Sequence, residues 1–188
     1  LTSSHEKPSD ILLAKAKEEL ARLDGIGKHL NNHELFLRPL QQQEALSSSS
    51  LEGTYATPEE LLLFQIESEK SSYKEAIKEV SNYKKALIFG HETLETIPVS
   101  MRLIKDRHEK LREGVRGGSR DPGNFRRTQV HIGSDRRFIP PPANEAIKCL
   151  EELENYIHNE QKDIDPLIFC FMVHYQFETI HPFLDGNG

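Results

Sequence analysis

Apolar residues recur at helical spacing along most of the chain. Between Asp10 and Leu23, Leu13, Ala16, Leu20 and Leu23 fall on one face and lysines and glutamates on the other, the period of an amphipathic helix. Asp24-Gly25-Ile26-Gly27 predicts its end. A second helix is expected from about Arg38 to Leu51, interrupted in character by Ser47 to Ser50, because serine side chains compete for backbone hydrogen bonds. Thr57-Pro58-Glu59-Glu60 is a start signal: a hydroxyl cap, proline at the first helical position, then acids that suit the helix dipole. That helix is expected to reach about Glu67, and longer ones follow from about Ser72 to Thr93 and from Ser100 to Arg112.

The pattern then changes. Glycine and proline crowd the stretch from Gly114 to Asn124, so the chain is turning. Thr128 to Ile132 alternates like a strand, Gly133-Ser134-Asp135 is turn chemistry, and Arg137-Phe138-Ile139 returns, which predicts one short hairpin. Two strands alone are marginal, so this pair must lean on helices or exist to pair with something. Beyond Pro140-Pro141-Pro142, Ala146, Leu150, Leu153 and Ile157 mark the buried face of another helix. Asp165-Pro166 again reads as cap and proline, and the helix it opens is apolar almost all round from Leu167 to Val173, as expected for the centre of a bundle. The fold class is all-α with one small β-hairpin.

Composition narrows the functional classes. The 188 residues suit one domain, or a core with a smaller appendage. A net charge of −6 argues against a general phosphate-backbone binder, so nucleic acid is not an expected partner. Arg116, Arg120, Arg126, Arg127, Arg136 and Arg137 still crowd one loop-rich region, where a solvated surface and a ligand-binding role are both open. No signal peptide or membrane-spanning run appears. The two cysteines, Cys149 and Cys170, point to a reducing, cytoplasmic setting, with Cys170 read as a small buried hydrophobe.

The last predicted helix delivers His174, Glu178 and His181. Two histidines four apart would be a zinc signature, but here the second position is glutamate. A metal site on these three therefore competes with a satisfied interior His174 and a Glu178 that orients a loop. Gly186-Asn187-Gly188 offers more. Glycines let backbone N–H groups converge on an anion. With His181 and Asp185 just before it, one loop combines a phosphate nest, a carboxylate for a hard cation such as magnesium, and a base for an incoming nucleophile.

His181-Pro182-Phe183-Leu184-Asp185-Gly186-Asn187-Gly188 resembles the signature of the Fic family, H-P-F-x-[D/E]-G-N-G-R-x-x-R, at every position present. The likeness continues upstream. Val130-His131-Ile132-Gly133 and Phe138-Ile139-Pro140-Pro141 are similar to the family's flap hairpin. Ser48 to Glu52-Gly53 resembles the inhibitory motif [S/T]-x-x-x-E-[G/N] carried on an N-terminal helix. The family pattern continues with two arginines where this sequence stops at Gly188, so a longer parent chain is expected.

The resemblance implies a Fic-like helical bundle that transfers AMP from ATP to a hydroxyl of a target protein. It implies His181 as general base and Asp185 as magnesium ligand. Phe183, Gly186, Asn187 and Gly188 would hold the nucleotide, and Val130, His131, Ile132 and Gly133 would dock the target strand. Ser48, Glu52 and Gly53 would be inhibitory. The chain would divide into an N-terminal helical region, 1–95, and a Fic core, 96–188. Removal of AMP, transfer of another phosphate-containing moiety, or a non-enzymatic helical module remain alternatives, and a homo-oligomer stays open.

Overall fold

A computed structural model describes residues 8–32, 34–51, 53–66, 75–115, 121–133, 135, 137–159 and 163–187. Among these the chain is all-α. In order, the helices are α1 (Pro8–Gly27), α2 (Glu34–Leu51), α3 (Pro58–Ile66), α4 (Glu75–Leu94), α5 (Met101–Leu111), α6 (Ala143–His158) and α7 (Pro166–Ile180). The chain forms two compact units, residues 1–41 and 42–188, and the candidate chemistry lies in the second.

Helix starts follow the local chemistry. The Thr57 hydroxyl accepts from the Glu60 N–H at 3.1 Å, while the Glu60 carboxylate accepts from the Thr57 N–H at 3.0 Å. This reciprocal capping box satisfies two donors that a helix end leaves open. Asp165 caps α7 by accepting from Leu167 N at 3.0 Å, with Pro166 in the first turn. Elsewhere packing overrides local preference. The serine run lies inside α2, which also contains Pro39. Ala45 of that helix is fully buried with Leu61, Ile77 and Val80 of α3 and α4, and this burial outweighs the weak helix preference of serine.

A second apolar cluster joins Ala146, Leu150 and Leu153 of α6 to Ile180 at the end of α7, with Met101, Phe125, Val173 and Phe177 packed around them. Between the clusters α4 and α5 pack together. Asn82 of α4 donates to the Glu113 carbonyl just past α5 at 2.7 Å. The start of α5 is tied to α6 by Met101 N–H donating to Glu154 at 2.8 Å.

Three sequence expectations change here. In place of two hairpin strands the described residues show one antiparallel bridge, Ile132 with Phe138, while Ser134 and Arg136 lie outside the description. Gln129 uses its side chain to donate to the Pro140 carbonyl at 2.9 Å, a contact that prolines opposite could not extend into a ladder. Secondly, α7 is not enclosed. Ile168, Phe171, Met172 and Tyr175 form an exposed stripe at helical spacing, and Cys170 and His174 are exposed too. Only the face that meets α6 is covered, so an all-round apolar sequence did not mean all-round burial. Thirdly, Arg126 of the arginine cluster is 2 % exposed and so no part of a solvated surface, while Arg116, Arg120 and Arg136 lie outside the described residues. Among the described residues no helix is long and apolar enough to cross a membrane.

Leu150 is 1 % exposed at the centre of the α6–α7 cluster. Leu150→Ala should therefore cost about 2–5 kcal/mol of stability in urea denaturation. The same substitution at exposed Leu184 should cost under about 0.5 kcal/mol.

Candidate active site

The turn that follows α7 carries the candidate chemistry. His181 caps the helix in the left-handed region, φ 49° and ψ 64°, a conformation that costs a non-glycine residue about 1–2 kcal/mol. It persists because its surroundings hold it. His181 N–H donates to the Phe177 carbonyl at 3.0 Å, and the carbonyls of residues 180, 181 and 182 all accept from Arg126. The Arg126 Nε donates to His181 O at 2.8 Å and Nη2 to Ile180 O at 3.3 Å, while its backbone N–H donates to Pro182 O at 2.8 Å. The guanidinium also donates to Thr128 O at 3.2 Å and Pro141 O at 2.5 Å. A cation at the carboxyl end of a helix is favoured by the helix dipole.

Past His181 the turn folds onto α5. Phe183 is buried and stacks on the His108 ring at 3.8 Å between centroids, 5° from parallel. The Asn187 side chain closes the turn on itself. Its Oδ1 accepts from Phe183 N–H at 2.7 Å and its Nδ2 donates to Phe183 O at 3.0 Å. Gly186 has φ 70°, a conformation that favours glycine, and a Cβ there would stand 3.2 Å from Leu111 Cδ2, so the leucine would have to give way. Gly188 lies outside the described residues.

His108 anchors the turn from the other side. Gly123 N–H donates to its Nδ1 at 2.9 Å, which makes Nε2 the donor to the Asp185 carbonyl, also at 2.9 Å. The ring is thus neutral and fully used. Burial holds its pKa below the usual histidine range, with the Asp185 carbonyl opposing that shift. The His181 pKa is also lowered, mainly by burial; the Glu178 carbonyl opposes this and the Arg126 charge adds to it. The His181 Nδ1 is buried without a protein hydrogen-bond partner. Desolvation therefore keeps this imidazole in its neutral, proton-accepting form near pH 7.

The Asp185 carboxylate is 2.9 Å from Nη2 of buried Arg112 and about half exposed. Among the described residues no group of three or more His, Cys, Asp or Glu could hold a metal alone. One half-exposed carboxylate does fit magnesium, which commonly takes one or two protein carboxylates and fills its shell with water and phosphate oxygens. His174 and Glu178 do not join such a set.

The other predicted residues lie apart. Val130 and Ile132 are half-buried, while His131 and Gly133 are exposed around the Ile132–Phe138 bridge. Ser48 accepts from the Tyr83 hydroxyl at 3.1 Å and donates to Glu44 at 3.2 Å. Gly53 has φ 85°, and Thr54 beyond it donates to Glu79 at 2.5 Å. These contacts fasten the end of α2 to α4. No hydrogen bond or ion pair joins Ser48 or Gly53 to residues 181–187 among the described residues, and Glu52 lies outside them.

Three residues that shape the site were not singled out from the sequence: His108, Arg112 and Arg126. The first two had a signal. His108 and Arg112 continue the Met101, Ile104, Leu111 stripe of α5, so polar residues interrupt an apolar face. Arg126 sits in a loop with no periodicity to mark it.

Two family models match the chain, "Fic/DOC family N-terminal" over residues 11–92 and "Fic/DOC family" over residues 98–188. A "Protein adenylyltransferase Fic" from Drosophila grimshawi is 29 % identical over 99 residues, covering 50 % of this chain and 19 % of its own length. The Drosophila mojavensis protein of the same name is 36 % identical over 67 residues, covering 35 % of this chain and 13 % of its own. Among solved structures, a Fic family protein from Desulfovibrio desulfuricans G20 superposes with a TM-score of 0.71 at 24 % identity. That match covers 97 % of this chain and 54 % of the other. The chain thus spans under a fifth of the length of these curated relatives and about half of that solved structure.

Asn187→Ala should orphan two buried backbone groups of Phe183, at a cost of about 2–4 kcal/mol. Urea denaturation measures that loss, and a change below about 1 kcal/mol would show that the Asn187 clamp does not hold the turn.

Proposed function

The chain belongs to the Fic/DOC family, and we propose on that premise that it is part of a protein adenylyltransferase, transferring AMP from ATP to a hydroxyl of a target protein. The observation that carries this reading is a half-buried His181, its Nδ1 enclosed and its pKa lowered, fixed at the mouth of a turn built around Gly186 and Asn187. In the proposed reaction a target hydroxyl gives its proton to His181 as its oxygen bonds the α-phosphorus of ATP. The bond from that phosphorus to the bridging oxygen breaks, and pyrophosphate leaves. General-base help of this kind contributes a factor of ~10²–10⁴. Phe183, Gly186, Asn187 and Gly188 position the nucleotide, and Val130 to Gly133 present an edge to an extended target segment. Asp185 is the residue that would hold magnesium, whose chemistry when bound is to neutralise phosphate charge.

Regulation belongs to the same proposal. The region before about residue 95 carries the inhibitory segment and the remainder the catalytic core. Glu52 lies outside the described residues and directly follows Leu51, the last residue of α2. Ser48 and Thr54, on either side of Glu52 in sequence, are fastened to α4. The Glu52 carboxylate would pair with the arginine that the family pattern places past the nest, and so displace the terminal phosphate of ATP.

In the full-length protein with magnesium and ATP, intact-mass spectrometry should show a gain of one adenylate on the protein or a partner. His181→Ala should abolish that gain while nucleotide binding persists; undiminished labelling would remove His181 from the role of base. Glu52→Gly should raise labelling at saturating ATP, with affinity changed less than turnover. No acceleration would end the autoinhibition reading.

The pH dependence has a defined sign. A base must be neutral to act, and burial puts the His181 pKa below the ordinary 6.5. The rate should therefore be level with respect to this group from pH 7 upward and fall only as pH drops below about 6.5. A profile still climbing between pH 7 and 8 would contradict the assignment.

A further inference from the structure

We infer that Arg126 is the positioning residue that fixes the candidate base relative to the segment that docks the target. This rests on the reading of His181 as base. The two ends of one residue hold three consecutive carbonyls at the close of α7. The guanidinium takes Ile180 and His181, and the backbone N–H takes Pro182. His181 stands among them with a positive φ, a conformation that must be held from outside. The same guanidinium reaches Thr128 and Pro141, one residue on either side of the stretch 129–140 that contains the Ile132–Phe138 bridge.

The side chain is therefore a bolt through two parts that must meet. A target hydroxyl laid along residues 130–133 would reach His181 at a distance set by this one planar group. Lysine cannot replace it, because a single ammonium cannot serve four carbonyls that converge on a flat fork. Arg126 touches no reacting atom in this arrangement. Its contribution is geometry, to which turnover is far more sensitive than nucleotide affinity, since displacing a reacting group by about 1 Å can cost a factor of ~10².

The test compares Arg126→Lys and Arg126→Gln with the parent and His181→Ala, all in the full-length protein. Three quantities are read: ATP dissociation constant, labelling rate at saturating ATP, and hydrogen exchange at the His181 and Phe183 amides. Whichever Arg126 variant keeps the parent's circular dichroism decides the matter. Expected are an ATP affinity within about threefold of the parent, a labelling rate lower by ~10–100-fold, and faster exchange at both amides. Added guanidinium should restore part of the rate to Arg126→Gln. Parental labelling by a folded Arg126 variant, with His181→Ala inactive, would overturn the inference. So would a loss of ATP affinity that accounts for the whole fall in rate. If His181→Ala itself labels normally, the base reading has failed. The positioning claim then stands or falls on the exchange of the two amides, which needs no turnover.

Discussion

One buried cation holds this site together. Arg126 donates to four carbonyls and its own backbone N–H takes a fifth, and among the described residues no carboxylate pairs with it. Burying a charge is costly unless every donor is met. Here peptide dipoles meet it, including those at the negative end of α7. The constraint works in both directions. The cation needs the carbonyls to be where they are, and the helix end, the left-handed His181 and the turn past Thr128 need the cation. The lowered Arg126 pKa that burial produces leaves such a group charged at any ordinary pH, so the mount does not loosen with acidity.

The turn beyond His181 is built on a related economy. Asn187 occupies both polar groups of Phe183, His108 occupies the Asp185 carbonyl, and Phe183 fills the space against His108. The backbone is therefore satisfied from within. What remains turned outward is the Asp185 carboxylate. Preorganisation of this kind matters because a polar site that need not rearrange gives more electrostatic help per group than solvent can.

The sequence carried the helices well, because amphipathic spacing and capping chemistry are local properties. Thr57 with Glu60 and Asp165 with Pro166 placed their helix starts to within a residue. The family likeness of residues 181–188 also pointed to the turn that the structure builds around His181. Contacts made at long range were not legible. Arg126 looked like one of several loop arginines, and nothing nearby in sequence reveals that residues 141 and 180–182 converge on it. His108 left a trace as a polar interruption in an apolar stripe, but its partners are 15 and 77 positions away. The opposite error occurred at α7, where composition alone implied enclosure and the structure leaves Phe171 and Tyr175 at the surface.

The ion pair between Arg112 and Asp185 has a consequence for how the protein tolerates its surroundings. The carboxylate already has a resident counter-charge, supplied by the fold itself. A dication that takes this oxygen must share it with Arg112 or displace it, whereas the turn keeps its shape through Phe183, Asn187 and His108. The shape of the turn is thereby uncoupled from metal supply, unlike small domains whose folding energy is the metal bond. A chelator should therefore leave the turn folded, held by its own side chains.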